Sequence, residues 1–79
     1  MAELAVMEKS SGQLIRVTET EYEGYDLVDV RVYFRDKQDT LRPTRKGISL
    51  RRETFGDFAD MIAEAREALA DKTKEVVSR

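Results

Sequence analysis

The residues best suited to chemistry lie in one segment near the middle of the chain. Residues 41–50 read LRPTRKGISL, with three cations around a proline and a glycine, followed by an alternating apolar tail. The formal charge is −5 over residues 1–30, +6 over 31–52 and −3 over 53–79. A basic band in an acidic protein most often binds a phosphate backbone, although cations on a solvated turn can serve solubility alone. The segment taken alone leaves both interpretations open.

Enzymatic chemistry has little support in the composition. The chain has no histidine and no cysteine, so it lacks the usual near-neutral base and the most reactive nucleophile. Most carboxylates fall at solvent-facing positions, and no loop concentrates them as a calcium loop does. No Gly-x-x-x-x-Gly-Lys motif is present for a phosphate-binding loop. We therefore expect no enzymatic activity, no metal and no cofactor.

Length and composition indicate one small domain. The 79 residues are 38% charged and 41% hydrophobic, as in a folded domain. Because so small a domain has a marginal core and no cysteine is present to support it by a disulfide, we expect a homodimer. No apolar run approaches the roughly 20 residues of a membrane span, and the N-terminus is unlike a secretory signal. We expect a cytoplasmic protein, nucleoid-associated if it is prokaryotic.

Local signals divide the chain into a leader, a domain and a tail. Ser10-Ser11-Gly12 reads as a joint, so residues 1–12 are expected to form a short mobile leader. The domain is then predicted to cover residues 13–72. Glu23-Gly24 predicts a tight turn after its first strand. Residues 73–79 are expected to be the helix end or a frayed tail.

The clearest strand pattern covers residues 27–35. Three valines and Phe34 alternate onto one face, which we expect to be the core face, and the opposite face is aromatic and basic. Leu41-Arg42 predicts a third short strand, which Pro43 limits to an edge or a bulge. Residues 46–50 predict a fourth strand.

The pattern then changes from period two to a helical period. Apolar residues recur every three or four positions and form one stripe: Phe55, Phe58, Ile62, Ala65 and Leu69. The outer face of this predicted helix is acidic. The order of four strands and one helix is typical of a small α+β fold with the helix on one face of the sheet.

Aromatic residues indicate how the basic band could bind nucleic acid. Four of them lie on or beside the predicted strands: Tyr22, Tyr25, Tyr33 and Phe34. Each ring alone is best explained by ordinary packing, but unpaired bases stack on exposed rings for about 1–3 kcal/mol each, whatever the sequence. Four cations lie close to these rings in the sequence: Arg31, Arg42, Arg45 and Lys46. Duplex readout is less favoured, because the only predicted helix is acidic.

The order of these segments resembles a known family. The strand LVDVRVYF, the string LRPTRKGISL and a helix that carries Phe55 are similar to the single-stranded-DNA-binding domain of the transcriptional coactivator positive cofactor 4 family. The resemblance covers about residues 14–69 and is strongest to compact prokaryotic members. It implies a four-stranded curved antiparallel sheet followed by one C-terminal helix, paired as a homodimer. Two sheet surfaces would then form channels for single strands or melted duplex.

The resemblance also implies site residues. The backbone contacts would be Arg31, Arg42, Arg45 and Lys46. The stacking rings would be Tyr22 and Phe34. Strict alternation places Phe34 on the core face, so Tyr33 is the alternative, and a bulge or strong curvature would decide between them. Strict alternation likewise places Lys46 on the same face as the apolar Ile48, unless Gly47 breaks the register.

One departure concerns the first turn, which is typically basic in the family. This chain has Glu19, Glu21 and Glu23 there, which would weaken contacts around Tyr22. The expected function is sequence-tolerant binding of single-stranded DNA by a homodimer, in transcription regulation or DNA maintenance. The sequence does not indicate whether the protein prefers DNA or RNA. The alternative is a dimeric interaction module of the transcription machinery that places its basic band on an acidic partner.

Overall fold

Four strands and one helix follow one another in the computed structural model, which describes the backbone of residues 1–75 and the side chains of residues 1–72. The elements are β1 (Ala2–Ser10), β2 (Gln13–Tyr22), β3 (Tyr25–Arg35), β4 (Leu41–Arg51) and α1 (Arg52–Glu75). The strands form one open, curved sheet in the order β1-β2-β3-β4, and every neighbouring pair is antiparallel. The predicted fold class, an α+β chain with four strands and a C-terminal helix, is confirmed.

The first strand is formed by residues that were expected from the sequence to be a mobile leader. Ala2 pairs with Glu19, and Ser10 pairs with Gln13, so β1 extends the sheet beyond β2. All of its residues are exposed, and its register shifts between Glu3 and Ala5. Because it lies at the edge and a bulge interrupts it, it lacks the apolar alternation that marks a buried strand.

The two short strands predicted around Pro43 are one strand. In β4, Pro43 lies opposite Tyr33 and Gly47 lies opposite Arg31, so four steps along β4 match two along β3. This bulge lies on an edge strand, where proline is tolerated. A Cβ at Gly47 would lie 2.5 Å from the carbonyl oxygen of Val30, so only glycine fits this close approach.

The sheet has two unlike faces. Helix α1 packs against β3 and β4, and Phe58 lines a pocket of about 270 Å³ on that side. The helix face, defined by this contact and the strand register, carries mainly Ile15, Val17, Val28, Val30, Val32, Phe34, Ile48 and Leu50. The open face, on the other side, carries mainly Leu14, Arg16, Thr18, Tyr22, Tyr25, Asp29, Arg31, Tyr33, Ser49 and Arg51.

Few side chains of the described residues are buried in the single chain. Within the described residues these are Val28 on the helix face and Thr18 and Tyr33 on the open face. Phe34 lies on the helix face, as alternation predicted, but it is 39% exposed. The predicted apolar stripe of α1 is also largely uncovered, because Ile62 is 51% exposed.

The helix enters the segment that was expected to be its end or a frayed tail. It continues through Glu75, three residues beyond the predicted domain boundary at residue 72, and residues 76–79 lie outside the described residues. In the part of the chain that the structure describes, no helix has the length and apolar character to cross a membrane.

Candidate nucleic-acid interface

Arg31 is held tightly at the centre of the open face. Its Nε and Nη2 groups each donate to the Asp29 carboxylate at 2.9 Å, and its Nη1 group donates to the Thr44 carbonyl oxygen at 2.9 Å. The hydrogen bond with Arg31 lowers the pKa of Asp29, and the same contact raises the pKa of Arg31. Ser49 Oγ adds a 2.6 Å hydrogen bond to Asp29. The guanidinium of Arg31 is therefore already satisfied by the protein, and it ties β3 to the β4 bulge.

The β4 bulge presents two exposed cations. Thr44 Oγ1 donates to the Val32 carbonyl oxygen at 2.8 Å and accepts from the backbone N–H of Lys46 at 3.2 Å, which fixes the bulge locally. The side chains of Arg45 and Lys46 are exposed, and neither forms an ion pair or a hydrogen bond with the described residues. Their charges are therefore available to an external anion.

Lys46 lies on the helix side of the sheet. It lines the pocket that also contains Ile48 and Phe58. Gly47 thus does not move Lys46 to the other face. Lys46 lies on the same face as Ile48, as strict alternation predicted.

Phe34 and Arg42 form a second cluster, at the end of β3. The two residues are cross-strand partners, and Arg42 Nε donates to Asp36 Oδ2 at 2.8 Å. Asp36 Oδ1 accepts from the backbone N–H groups of Gln38 and Thr40, both at 2.9 Å. These bonds, above all that from Arg42, lower the pKa of Asp36. The cluster places an exposed ring beside a cation that a turn carboxylate orients.

Exposure separates the two candidate stacking residues at this end. Tyr33 is only 6% exposed, and the guanidinium carbon of Arg16 lies 4.6 Å from its ring centroid. Phe34 is 39% exposed. The β2–β3 register is continuous, so the bulge in β4 leaves the alternation of these two residues unchanged. Phe34 thus offers more surface to a base than Tyr33 does.

Tyr22 lies at the opposite end of the sheet. It pairs with Tyr25 across a two-residue turn in which Glu23 and Gly24 have φ values of 51° and 83°, as the predicted tight turn requires. Along β3, Tyr25 and Phe34 are nine positions apart, which corresponds to about 30 Å at roughly 3.3 Å per residue. The predicted site residues are therefore spread along the sheet and over both of its faces, since Tyr22 lies on the open face and Phe34 on the helix face.

Comparison with known proteins assigns the family. The family model described as Transcriptional Coactivator p15 (PC4) matches residues 9–61, which is more than half of the chain. The chain belongs to the PC4 family. The family is known for DNA binding and transcription coactivation, and the resemblance identified from the sequence is confirmed.

Solved structures of PC4 homologues agree with this assignment. The PC4 homologue BPSL1147 from Burkholderia pseudomallei K96243 matches with a TM-score of 0.76 and 34% identity, over 81% of this chain and 86% of that chain, in its orthorhombic crystal form. Its tetragonal crystal form matches with a TM-score of 0.75 and 34% identity, over 81% of this chain and 94% of that chain. These matches support the assignment of the chain as a compact prokaryotic-type member of the PC4 family.

A more distant match shares the PC4 fold alone. It is the bacteriophage T5 homologue of the eukaryotic transcription coactivator PC4, implicated in recombination-dependent DNA replication. The TM-score is 0.59 and the identity 18%, with both chains covered completely.

Three residues of this PC4-family chain were not among the predicted contacts although they lie on the open face: Arg16, Tyr25 and Arg51. Arg16 covers Tyr33 and forms a 2.9 Å ion pair with Glu3. Arg51 lies over the ring of Tyr25. The sequence carried one usable signal, because a two-residue turn places Tyr25 directly opposite Tyr22. Arg51 could not be found in this way, since the β4 bulge sets its register.

Proposed function

We propose that this chain binds single-stranded DNA without sequence preference and does so as a homodimer. The observation that carries the proposal is the β4 bulge, which holds Arg45 and Lys46 without a side-chain partner among the described residues. Cations on a fixed backbone can neutralise phosphates while losing little conformational freedom. Membership of the PC4 family supports DNA as the polyanion.

Stacking on exposed rings completes the proposed binding mode. Tyr22 is 63% exposed at one end of the sheet, and Phe34 is 39% exposed at the other. Rings of this kind bind unpaired bases of any sequence, because every base has a π face. Helix α1 is mainly acidic on its exposed side, and the described residues include no basic helix that could enter a major groove. These features favour single strands over duplex.

The uncovered apolar surface supports the homodimer. In α1, Met61 and Ile62 are 52% and 51% exposed, although they lie beside the half-buried Phe55 and Phe58. Contiguous apolar surface of this kind usually marks an interface. We expect light scattering to give about 18 kDa, twice the 9.1 kDa of one chain. A mass of 9 kDa at micromolar concentration would contradict the dimer.

Fluorescence anisotropy tests the proposed ligand. The probe is an oligothymidylate of about 20 nucleotides, and the log of the binding constant should fall with log salt by about 0.7 per phosphate neutralised. Duplex DNA of equal length should bind more weakly, and an RNA strand of the same sequence measures any preference for the sugar. Absence of binding to the oligothymidylate at micromolar protein in low salt would rule out the proposal.

A competition experiment separates DNA binding from the alternative of an acidic protein partner. Heparin supplies anionic charge without bases to stack. If the oligothymidylate binds no better than heparin at matched charge, the basic band recognises charge alone, and an interaction module becomes the better interpretation.

A further inference from the structure

Two tyrosines face each other at the hairpin end of the open face. Tyr22 and Tyr25 are directly opposite in the β2–β3 register, and they are 63% and 51% exposed. Directly opposite residues have Cβ atoms about 5 Å apart. Among the aromatic residues that the structure describes, Tyr22 and Tyr25 form no ring contact with each other. Both rings therefore keep surface on which another flat group can stack.

Arg51 adds a fixed cation to this pair. Its guanidinium carbon lies 4.3 Å from the centroid of the Tyr25 ring, and its side chain has no carboxylate partner within the described residues. A cation–π contact orients the guanidinium but leaves its N–H groups able to donate. Arg51 can thus bind an anion beside the ring that holds it.

The acidic residues around the turn lie mainly on the other face. Glu19 pairs with Val28, and Glu21 pairs with Asp26, which places these carboxylates on the helix face. Arg52 Nη1 also lies 3.1 Å from Glu19 Oε2 and 3.8 Å from Asp26 Oδ2. Because the sheet and Arg52 separate these charges from the open face, they repel a bound strand near the tyrosines less than the sequence suggested.

We propose that Tyr22, Tyr25 and Arg51 form a terminal subsite that binds one unpaired base and its flanking phosphate. The base would stack on the tyrosine rings, and Arg51 would contact the phosphate. The proposal rests on the proposed function and extends it, because it adds Tyr25 and Arg51 to the binding residues and places one end of the bound strand at the β2–β3 hairpin.

Replacement of Tyr25 tests the stacking part. We expect Tyr25→Ala to weaken binding of a 20-nucleotide oligothymidylate about 5- to 150-fold, the range that corresponds to the loss of one stacked base. Tyr25→Phe keeps the ring and should bind within about twofold of the wild type. On a strand of equal length made only of abasic deoxyribose phosphates, measured at low salt, the alanine variant should bind like the wild type.

Replacement of Arg51 tests the phosphate contact. Arg51→Gln should reduce the slope of log K against log salt by about 0.7, on both the oligothymidylate and the abasic strand. Lys72→Gln is the control, because Lys72 is exposed near the end of α1, away from the sheet. That variant should keep the wild-type slope.

The outcomes separate the subsite from the general function. If the wild type does not bind the oligothymidylate, the proposed function itself is wrong. If the wild type binds but Tyr25→Ala binds equally well, or loses affinity equally on the abasic strand, the stacking role is overturned. A wild-type salt slope for Arg51→Gln likewise overturns the phosphate contact.

Discussion

At the residue scale, the basic residues of the segment that first indicated function have different roles. Arg31 has its donors satisfied by Asp29 and Thr44, whereas Arg45 and Lys46 have no side-chain partner among the described residues. A buried or half-buried charge that is hydrogen-bonded to the protein gains little from a new anion, while an exposed one can exchange its counterions for a phosphate. We therefore propose that Arg31 positions the bulge and that Arg45 and Lys46 bind phosphates.

The Asp29–Arg31 pair makes stability depend on pH. Because the folded pKa of Asp29 is lowered, its contribution is present above the unfolded value of about 3.9 and is lost as the pH falls through the folded value. We expect the free energy of unfolding, from urea titrations, to fall below about pH 4. In the variant Asp29→Asn, the contribution of this carboxylate to the pH dependence of the free energy of unfolding should be absent.

At neutral pH, Asp29→Asn should also lower the free energy of unfolding by about 1–3 kcal/mol, because it leaves the half-buried Arg31 without a counter-charge. Asp39→Asn is the matched control, since the Asp39 side chain is 83% exposed in its ion pair with Arg35. That variant should remain within about 0.5 kcal/mol of the wild type. Equal stability of the two variants would show that the Asp29 pair is not structural.

At the element scale, the β4 bulge depends on the absence of a side chain at Gly47. The register slips between Tyr33 and Arg31, and this brings the Gly47 backbone against β3. The local hydrogen bonds of Thr44 then hold the displaced residues. The positions of Arg45 and Lys46, the proposed binding cations, therefore depend on a glycine and a threonine for which no contact with DNA is proposed.

Substitution of Gly47 tests this dependence. A Cβ there would meet the Val30 carbonyl oxygen at 2.5 Å and Arg31 Cα at 2.8 Å. Since both contacts are with backbone, we expect Gly47→Ala to lower the free energy of unfolding by about 1–3 kcal/mol. Gly56→Ala is the control: nothing lies within 4 Å of its added Cβ, and alanine favours the helix, so it should stabilise by about 0.5–1 kcal/mol. If both variants have wild-type stability, the bulge does not require glycine.

At the scale of the whole molecule, periodicity was sufficient to predict β2, β3 and the helix. The alternation in β3, the Glu23-Gly24 turn and the change of period before Phe55 each reflect local sterics and burial. Strand β1 could not be predicted in this way, because its pairing with β2 buries none of its residues. Backbone hydrogen bonds to a neighbouring strand can define a strand without leaving an apolar pattern.

The candidate site was less predictable than the fold. The aromatic and basic residues could be chosen by type, but their partners depend on long-range register: Arg51 meets Tyr25, and Arg16 covers Tyr33. The carboxylates at Glu19 and Glu21 appeared to oppose binding in the sequence. The sheet places them on the face opposite Tyr22, which no linear charge count could reveal.

DNA binding by the β4 bulge is tested by comparing the wild type with the double variant Arg45→Ala/Lys46→Ala in oligothymidylate binding over a salt series. Loss of the two bulge cations should weaken binding at low salt and reduce the slope of log K against log salt by at least about 1.4, at about 0.7 per phosphate. Lys72→Ala should bind like the wild type, and thermal unfolding should show that the double variant is folded. A folded double variant with wild-type affinity and slope would contradict the proposal that the β4 bulge binds the DNA backbone.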